Sequence, residues 1–366
     1  MSGTSAPRLR VLVDGQELGG AYWAEVVQNQ YYLPDTFEAR FAVNAPGAKG
    51  LAWWAQVATL LLTIQASTDG KRWSDLILGQ ADHIDLHPET GTAIVQGRDL
   101  TAMFQDARTQ AAWRGKTASE VVLALNALHA GPDGKPLLTP HVDTAPGLVD
   151  AYYGGDHTKV ALGQFSRVTT EWGLITYLAE QAGFDAFVRG KGLYFRKQAD
   201  ADSAPATLAV KYAPPNAKVA YAASSAIDLR MQRSLTLAKD IEVAVRSWRS
   251  DNARSFTRLA RRTGAKSDGT VQRYVYVRPN MTEEQAQQFA NSALADLSQQ
   301  ERIITFRQPF DPKLDTDAVV RLSGTGTQYD QAYHIDTITT VIGFEDGAFQ
   351  TIRAKNHDVQ TQTQVA

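Results

Sequence analysis

Along the first hundred positions apolar residues recur in short alternating runs, and glycine-bearing turns punctuate them. Thr36–Val43 shows the pattern best: Phe37, Ala39, Phe41 and Val43 share one face of an extended strand. Arg8–Val13 alternates up to Asp14-Gly15, and Leu60–Ala66 runs into Asp69-Gly70, both hairpin signals. Tyr22–Gln28, Asp75–Ile84 and Ala93–Gln96 complete the set. A period of two gives each strand one face to bury, and this spacing suits an antiparallel sandwich or barrel.

From Arg98 the period changes. Asp99 is placed to cap a short helix ending at Asp106. Thr117 with Glu120 forms a capping box, and Ala118, Val121, Val122, Leu125 and Leu128 fall on one helical face before Gly131 and Pro132 stop it. Residues 131–165 are rich in Gly, Pro and Asp and read as loop with short strands. A third helix begins at Thr169 or Thr170, with Trp172, Ile175, Leu178, Ala179 and Ala182 as its stripe and Gly183 at the left-handed C-terminal position. The period returns at once to two: Phe184–Val188, a turn at Arg189–Gly192, then Leu193–Phe195. A helix packed on a hairpin follows from that switch.

Residues 199–226, rich in Ala, Pro and Ser, make a boundary by composition. Strand patterns resume at Ile227–Leu237 and Ile241–Trp248. Arg246–Arg278 then carries nine Lys or Arg against two Asp. Thr282 and Gln285 open a fourth helix with Ala286, Phe289, Ala290, Ala293, Leu294 and Leu297 on its apolar face. Arg302–Arg307, Ala318–Leu322, Tyr333–Ile342 and Ala348–Ala354 finish the chain as strands, the last pair turning at Glu345-Asp346-Gly347. The expectation is an α+β, mainly β chain: a β unit over 1–97, an α/β insert over 98–225, and a second β unit over 226–366. No short-period repeat is visible, so any relation between the two β units is structural.

Composition narrows the chemistry. The 366 residues hold no cysteine, which removes disulfides, thiolate nucleophiles and Cys-based zinc sites. A net charge of −2 gives no global field for nucleic acid. Met1–Leu12 lacks the apolar run of a signal peptide, and Leu51–Ile64, the longest apolar stretch, is broken by Gln56 and Thr59 and is too short to span a bilayer. No membrane anchor is expected. Ser323-Gly-Thr-Gly-Thr327 lacks the Lys-Ser/Thr of a phosphate loop and leads into a strand, which makes it a turn. His83 and His87, beside Asp82 and Asp85, would lie about 13 Å apart on a strand, too far to share a metal. The other histidines show no ligand spacing. No Gly-x-Ser-x-Gly elbow occurs, and Asp14, Asp69, Asp99, Glu120 and Glu283 have turn or capping positions. No catalytic, cofactor or metal residue is expected, and the chain is not expected to be an enzyme. The weak candidate for a polyanion or subunit contact is the basic stretch, through Arg249, Arg254, Arg258, Arg261 and Arg262, with Trp248, Phe256, Tyr274 and Tyr276 available to stack. A carbohydrate- or polyanion-binding β protein using these groups with Trp53 and Trp54 is the alternative reading.

TTEWGLITYLAEQAGFDAFVRGKGLYF (Thr169–Phe195) resembles the helix–hairpin of phage late-control (gene D-like) tail proteins and of the hub part of type VI secretion spikes. VQGRDLTAMFQDARTQAAWRGKTASEVVLAL (Val95–Leu125) is similar to a segment of the same family. LPDTFEARFAV (Leu33–Val43) resembles its first-barrel strand, and LSGTGTQYDQAYHIDTITTVI (Leu322–Ile342) its final strand pair. The resemblance weakens over 246–300. It implies two tail-tube-like antiparallel β-barrels flanking the α/β insert, and three chains presenting six barrels in a ring at a tail baseplate. The implied partners are two further copies of the chain, a central spike, a tail tube or tube-initiator protein, a tape-measure protein and baseplate wedge proteins. The implied setting is the virion, assembled in a bacterial cytoplasm. The chain ends soon after its last strands, so the needle is expected to be a separate protein.

Overall fold

In the computed structural model the described residues are 7–30, 32–109, 111, 113, 116–131, 134–145, 169–197, 207–215, 221–249, 254–262, 271–278, 281–345 and 347–356. The first unit comprises β1 (Arg8–Val13), β2 (Gln16–Glu17), β3 (Ala21–Asn29), β4 (Thr36–Ala42), α1 (Leu51–Gln56), β5 (Leu61–Ser67), β6 (Ser74–His87) and β7 (Thr92–Asp99). The apolar run at 51–64 thus divides into a one-and-a-half-turn helix and a strand. The strands pair antiparallel in the order β3-β4-β7-β6-β5-β1. Their alternating residues, among them Phe37, Ala39, Phe41, Leu62, Ile64 and Val95, form one core closed by Trp54. Each large side chain so buried contributes roughly 1.5–3 kcal/mol.

The insert follows: α2 (Ala102–Asp106), β8 (Arg108–Thr109), α3 (Ala118–Leu128), β9 (Thr139–Val142), β10 (Thr169–Thr170), α4 (Glu171–Ala182), β11 (Phe184–Arg189) and β12 (Gly192–Lys197). The capping box of Thr117 and Glu120 is present, the Thr170 hydroxyl accepts the Gly173 N–H at 3.0 Å, and Gly183 takes the left-handed conformation (φ 66°) that ends α4. Helix α2 starts later than the sequence suggested. Asp99 ends β7 and binds the Thr101 N–H with its carboxylate at 2.9 Å, while Thr101 stands at the cap position. The buried residues of α3, α4 and the β11–β12 hairpin share one core around Ile175, Leu125 and Phe195.

The second unit contains β13 (Thr207–Ala213), β14 (Ala223–Ser224), β15 (Ile227–Arg233), β16 (Asp240–Arg249), β17 (Arg254–Arg262), β18 (Val271–Val277), α5 (Glu283–Gln299), β19 (Arg302–Pro309), β20 (Val319–Ser323), β21 (Ala332–Gly343) and β22 (Gly347–Asn356). The Ala/Pro/Ser-rich stretch therefore holds two strands, and β13 joins the C-terminal sheet beside β20. Strands β17-β16-β18 make a separate small sheet under α5, whose Thr282–Gln285 capping box is also present.

Six strands of the second unit pair in the order β15-β19-β22-β21-β20-β13, which repeats the order of the first. The match reaches single residues. The β6–β7 ladder has an irregularity between Ala81 and His83, and the β21–β22 ladder has one between Ile335 and Thr337. The skipped residue is Asp82 in one and Asp336 in the other. Each binds a cation on its partner strand, Arg98 at 2.7 Å and Lys355 at 3.4 Å. One pairing differs: β1–β5 is antiparallel and β13–β20 parallel. The expected closed barrels are not found. Strands β1 and β3 come near each other without a ladder, and among the described residues none joins β13 to β15. Instead β3 pairs with β21, so the two units run together as one 14-stranded sheet.

Candidate interaction surfaces

The small sheet places the basic stretch. Arg249 and Arg254 are backbone partners where β16 meets β17. Arg258 pairs with Glu283, Arg261 with Glu242 at 2.5 Å, and Arg262 with Glu301. Lys266 and Asp268 lie outside the described residues. Alternation separates two faces. Ile241, Val243 and Val245 turn toward α5 together with Phe256, Tyr274 and Tyr276. The aromatics that could stack on a ligand therefore mostly pack under the helix, Tyr276 meeting Phe289 edge-on at 5.4 Å. The other face presents Arg246, Trp248 (49% exposed), Leu259, Val275 and a triad in which Arg261 and Arg273 flank the buried Glu242. Burial works to raise the Glu242 pKa, but the two guanidiniums prevail and hold it below the usual range. Two guanidiniums of the stretch thus share one carboxylate. Glu242 and Glu301 are ion-pair partners the sequence did not mark, since Glu242 needs β16, β17 and β18 side by side and Glu301 needs β15, β17 and the start of β19.

Two other sequence features have structural explanations. In the Gly-x-Gly turn the Asp330 carboxylate accepts the Thr325 and Gly326 N–H groups, each at 2.9 Å. The chain's own carboxylate fills the amide cradle that a phosphate would need. His83 and His87 both lie on β6, His87 beside Asp85 at 3.3 Å. Among the described residues no three metal-ligating side chains converge. Trp54 is buried against Phe41 with Trp53 edge-on upon it, so this pair is packing and not an open sugar platform.

The insert is fastened at both ends. Tyr32, held at φ 60°, donates its hydroxyl to Phe184 O at 2.8 Å, and the Trp172 indole donates to Tyr32 O at 2.7 Å. Arg189 reaches Asp315 at 2.5 Å and Thr316 at 2.9 Å, and Arg196 reaches Asp317 at 2.8 Å. The junction of the first unit, the β11–β12 turn and the 310–315 loop encloses a polar-rimmed cleft of about 590 Å³ lined by Asp14, Asp75, Arg189, Lys191, Lys313 and Asp315 among others. Nearby, Asp35 and Asp99 lie buried together; Asp99 Oδ2 accepts the Asp35 N–H at 3.2 Å. Burial raises both pKa values, and their proximity raises Asp35 further. Asp185 is also raised by burial, to about 7, against the opposing pull of Arg196. These groups sit where the insert meets the two units.

Among the described residues several strand edges of the main sheet have no ladder partner, those of β15 and of the second half of β6 among them. β15 pairs with β19 alone, and Ala81–His87 of β6 pairs with β7 alone, apart from the Ala81 N–H bonded to Leu60 O at 2.9 Å. Backbone groups at such edges are ready to pair with another strand.

No protein-family model and no curated protein sequence matches the chain. Solved structures do. A tail protein from Neisseria meningitidis superposes with a TM-score of 0.65 at 14% identity, covering 96% of this chain and 97% of that one. The 43 kDa tail protein of a Shewanella oneidensis prophage gives 0.64 at 12% identity over 96% and 98%. An Escherichia coli component of the type VI secretion system, described as similar to the T4 tail proteins gp27 and gp5, gives 0.53 at 11% identity over 98% and 79%. The chain has the fold of these tail and secretion-system proteins along nearly its whole length.

Proposed function

We propose that this chain is a structural tail protein, the baseplate hub of a contractile phage-type tail, in which three copies form a pseudo-hexameric ring. The observation that carries the reading is the repetition of one six-stranded unit twice in a single continuous sheet. Two like units per chain give six in a trimer, which matches a sixfold tube on one side and a threefold spike on the other. Closed cyclic assembly of identical chains is the common solution for soluble oligomers. The similar solved structures are tail proteins and a secretion-system component, which favours the same setting here. In this reading the ring holds the central spike, starts or receives the tail tube and leaves a channel for DNA, with tape-measure and wedge proteins as further neighbours in the virion. In this reading the insert that braces the two units runs from α2 to β12 and ends before β13, not at 225, since β13 pairs with β20 of the second unit.

The mechanism is mechanical. Arg189 and Arg196 clamp the insert to the 315–317 segment, and Tyr32 ties it to the first unit, so load applied to one unit passes to the other. The paired Arg261 and Arg273 leave the polyanion-binding alternative with less free charge than the sequence count implied. Co-expression with the spike and tube proteins of the same genome tests the proposal. The expected complex holds three copies of this chain per spike, and the three chains alone weigh about 120 kDa, three times 40.0 kDa. A chain that stays at 40.0 kDa and binds neither protein contradicts it.

A further inference from the structure

We propose that β15 of one chain adds antiparallel to the open edge of β6 in a second copy, over Arg230–Ser234 against His83–His87, and that this contact joins the chains of the ring. The inference rests on the hub reading for the number of copies alone; the contact itself is drawn from the internal repeat.

Within one chain the two units meet where β3 pairs with β21 over Thr337–Gly343. Strand β20 covers only the start of β21, Ala332–His334, and leaves that edge free for β3. In the first unit β6 takes the place of β21. Strand β5 covers β6 only as far as Gln80, so the matching edge of β6 stands open from Ala81. The counterpart of β3 is β15, since β3 borders β4 as β15 borders β19. Each unit therefore carries one donor strand and one acceptor edge. One donor–acceptor pair is used inside the chain, and the other of each kind is empty among the described residues. A contact repeated head to tail with a constant rotation closes a ring.

The repeat also sets the register. Thr36 and Ile303 are matched, because they stand opposite Arg98 and Lys355. Val27 faces Thr36 and Gln232 faces Ile303, so Val27 and Gln232 are matched. Val27 faces Thr339, whose counterpart two residues past the β6 irregularity is Asp85. The new contact then pairs Gln232 with Asp85, Met231 with Leu86, Arg233 with Ile84 and Arg230 with His87. Three properties of these residues fit. Met231 is 40% exposed, whereas its counterpart Val26, on the strand whose edge β21 already pairs, is 1% exposed within the first unit's core. Arg230 falls diagonal to Asp85 on one face, an attractive cross-strand pair. Among the described residues Asp85 makes no ion pair except its contact with His87, and its side chain is 73% exposed. The occupant this edge fits is an extended strand with cations flanking an apolar residue, and β15 is such a strand.

The absence of cysteine permits a direct test. Met231→Cys with Leu86→Cys in the full chain places two thiols opposite each other, within the 4.4–6.8 Å Cα separation that a disulfide spans. Oxidation should yield covalent two- and three-chain species, at least about tenfold more than Met231→Cys with Ile84→Cys, whose diagonal separation of about 7–8 Å is too long. Native mass is measured on the same samples. Oligomers without the matched cross-link overturn the strand pairing and leave the ring reading standing; a monomer overturns both. A charge variant guards against misfolding. Asp85→Arg, on the exposed edge, should raise the dissociation constant about fivefold per interface, and adding Arg230→Asp should restore it. An unchanged constant in Asp85→Arg counts against the pairing.

Discussion

Glu301 is fully buried and holds three guanidiniums, Arg233 and Arg302 at 3.1 Å each and Arg262. Removing its charge leaves buried cations without compensation, a loss of about 3–5 kcal/mol. Glu301→Gln should therefore lower the urea midpoint strongly with the slope unchanged, and a loss below about 1 kcal/mol would show that the arginines relax to water. Asp185 offers the opposite sign. Its folded pKa, raised from 3.8 to about 7, means the folded chain keeps a proton that the unfolded chain releases. The stability it contributes is full below pH 3.8 and is lost as pH rises through about 7. Asp185→Asn should thus raise Tm by about 3 °C at pH 8 and leave it nearly unchanged at pH 4. A gain of equal size at both pH values would assign the effect to packing. Neither residue was visible in the sequence as special. Their surroundings come from strands far apart in the chain, Asp185 from the hairpin against the 315–317 segment and Glu301 from β17 and β15 against β19.

At the scale of elements the sequence was more legible. Capping signals at Thr117, Thr170 and Thr282, and the stop at Gly183, gave helices α3, α4 and α5 nearly as found, because a cap is decided by residues three apart. Gly183→Ala isolates one such signal. The nearest atom to the added Cβ is 3.9 Å away, so the cost of about 1–2 kcal/mol comes from the left-handed backbone alone. A thermal shift of zero would mean that α4 ends differently in solution. The strands of the first unit were also readable from period two. What failed was local: Asp99 looked like a helix cap but belongs to β7, and β13 with β14 hid in a stretch whose composition reads as linker. β13 does alternate, Leu208, Val210 and Tyr212 turning inward, but the run is short and sits in a stretch whose Ala, Pro and Ser content reads as linker. The basic stretch looked like one feature, yet the fold divides its side chains between two faces and pairs Arg258, Arg261 and Arg262 with carboxylates.

At the scale of the molecule the sequence shows no trace of the repeat, because the two units share pairing order and buried positions and not residue identity. Leu62 and Ile64 correspond to Val320 and Leu322, and Phe37 and Ala39 to Ile304 and Phe306, all buried. Apolar side chains of different shape fill the same sites, as cores tolerate when pattern and total volume are kept. Barrel closure was expected and is replaced by a single sheet that passes from unit to unit through β3 and β21; among the described residues β15 and the second half of β6 are two of its open edges. The proposed hub is a ring built from six like units. Electron-microscope class averages of the purified, unmodified oligomer test this directly: a closed ring of six similar lobes with threefold symmetry around an open centre is expected, and a twofold dimer, an open chain or single 40.0 kDa particles would overturn the proposal.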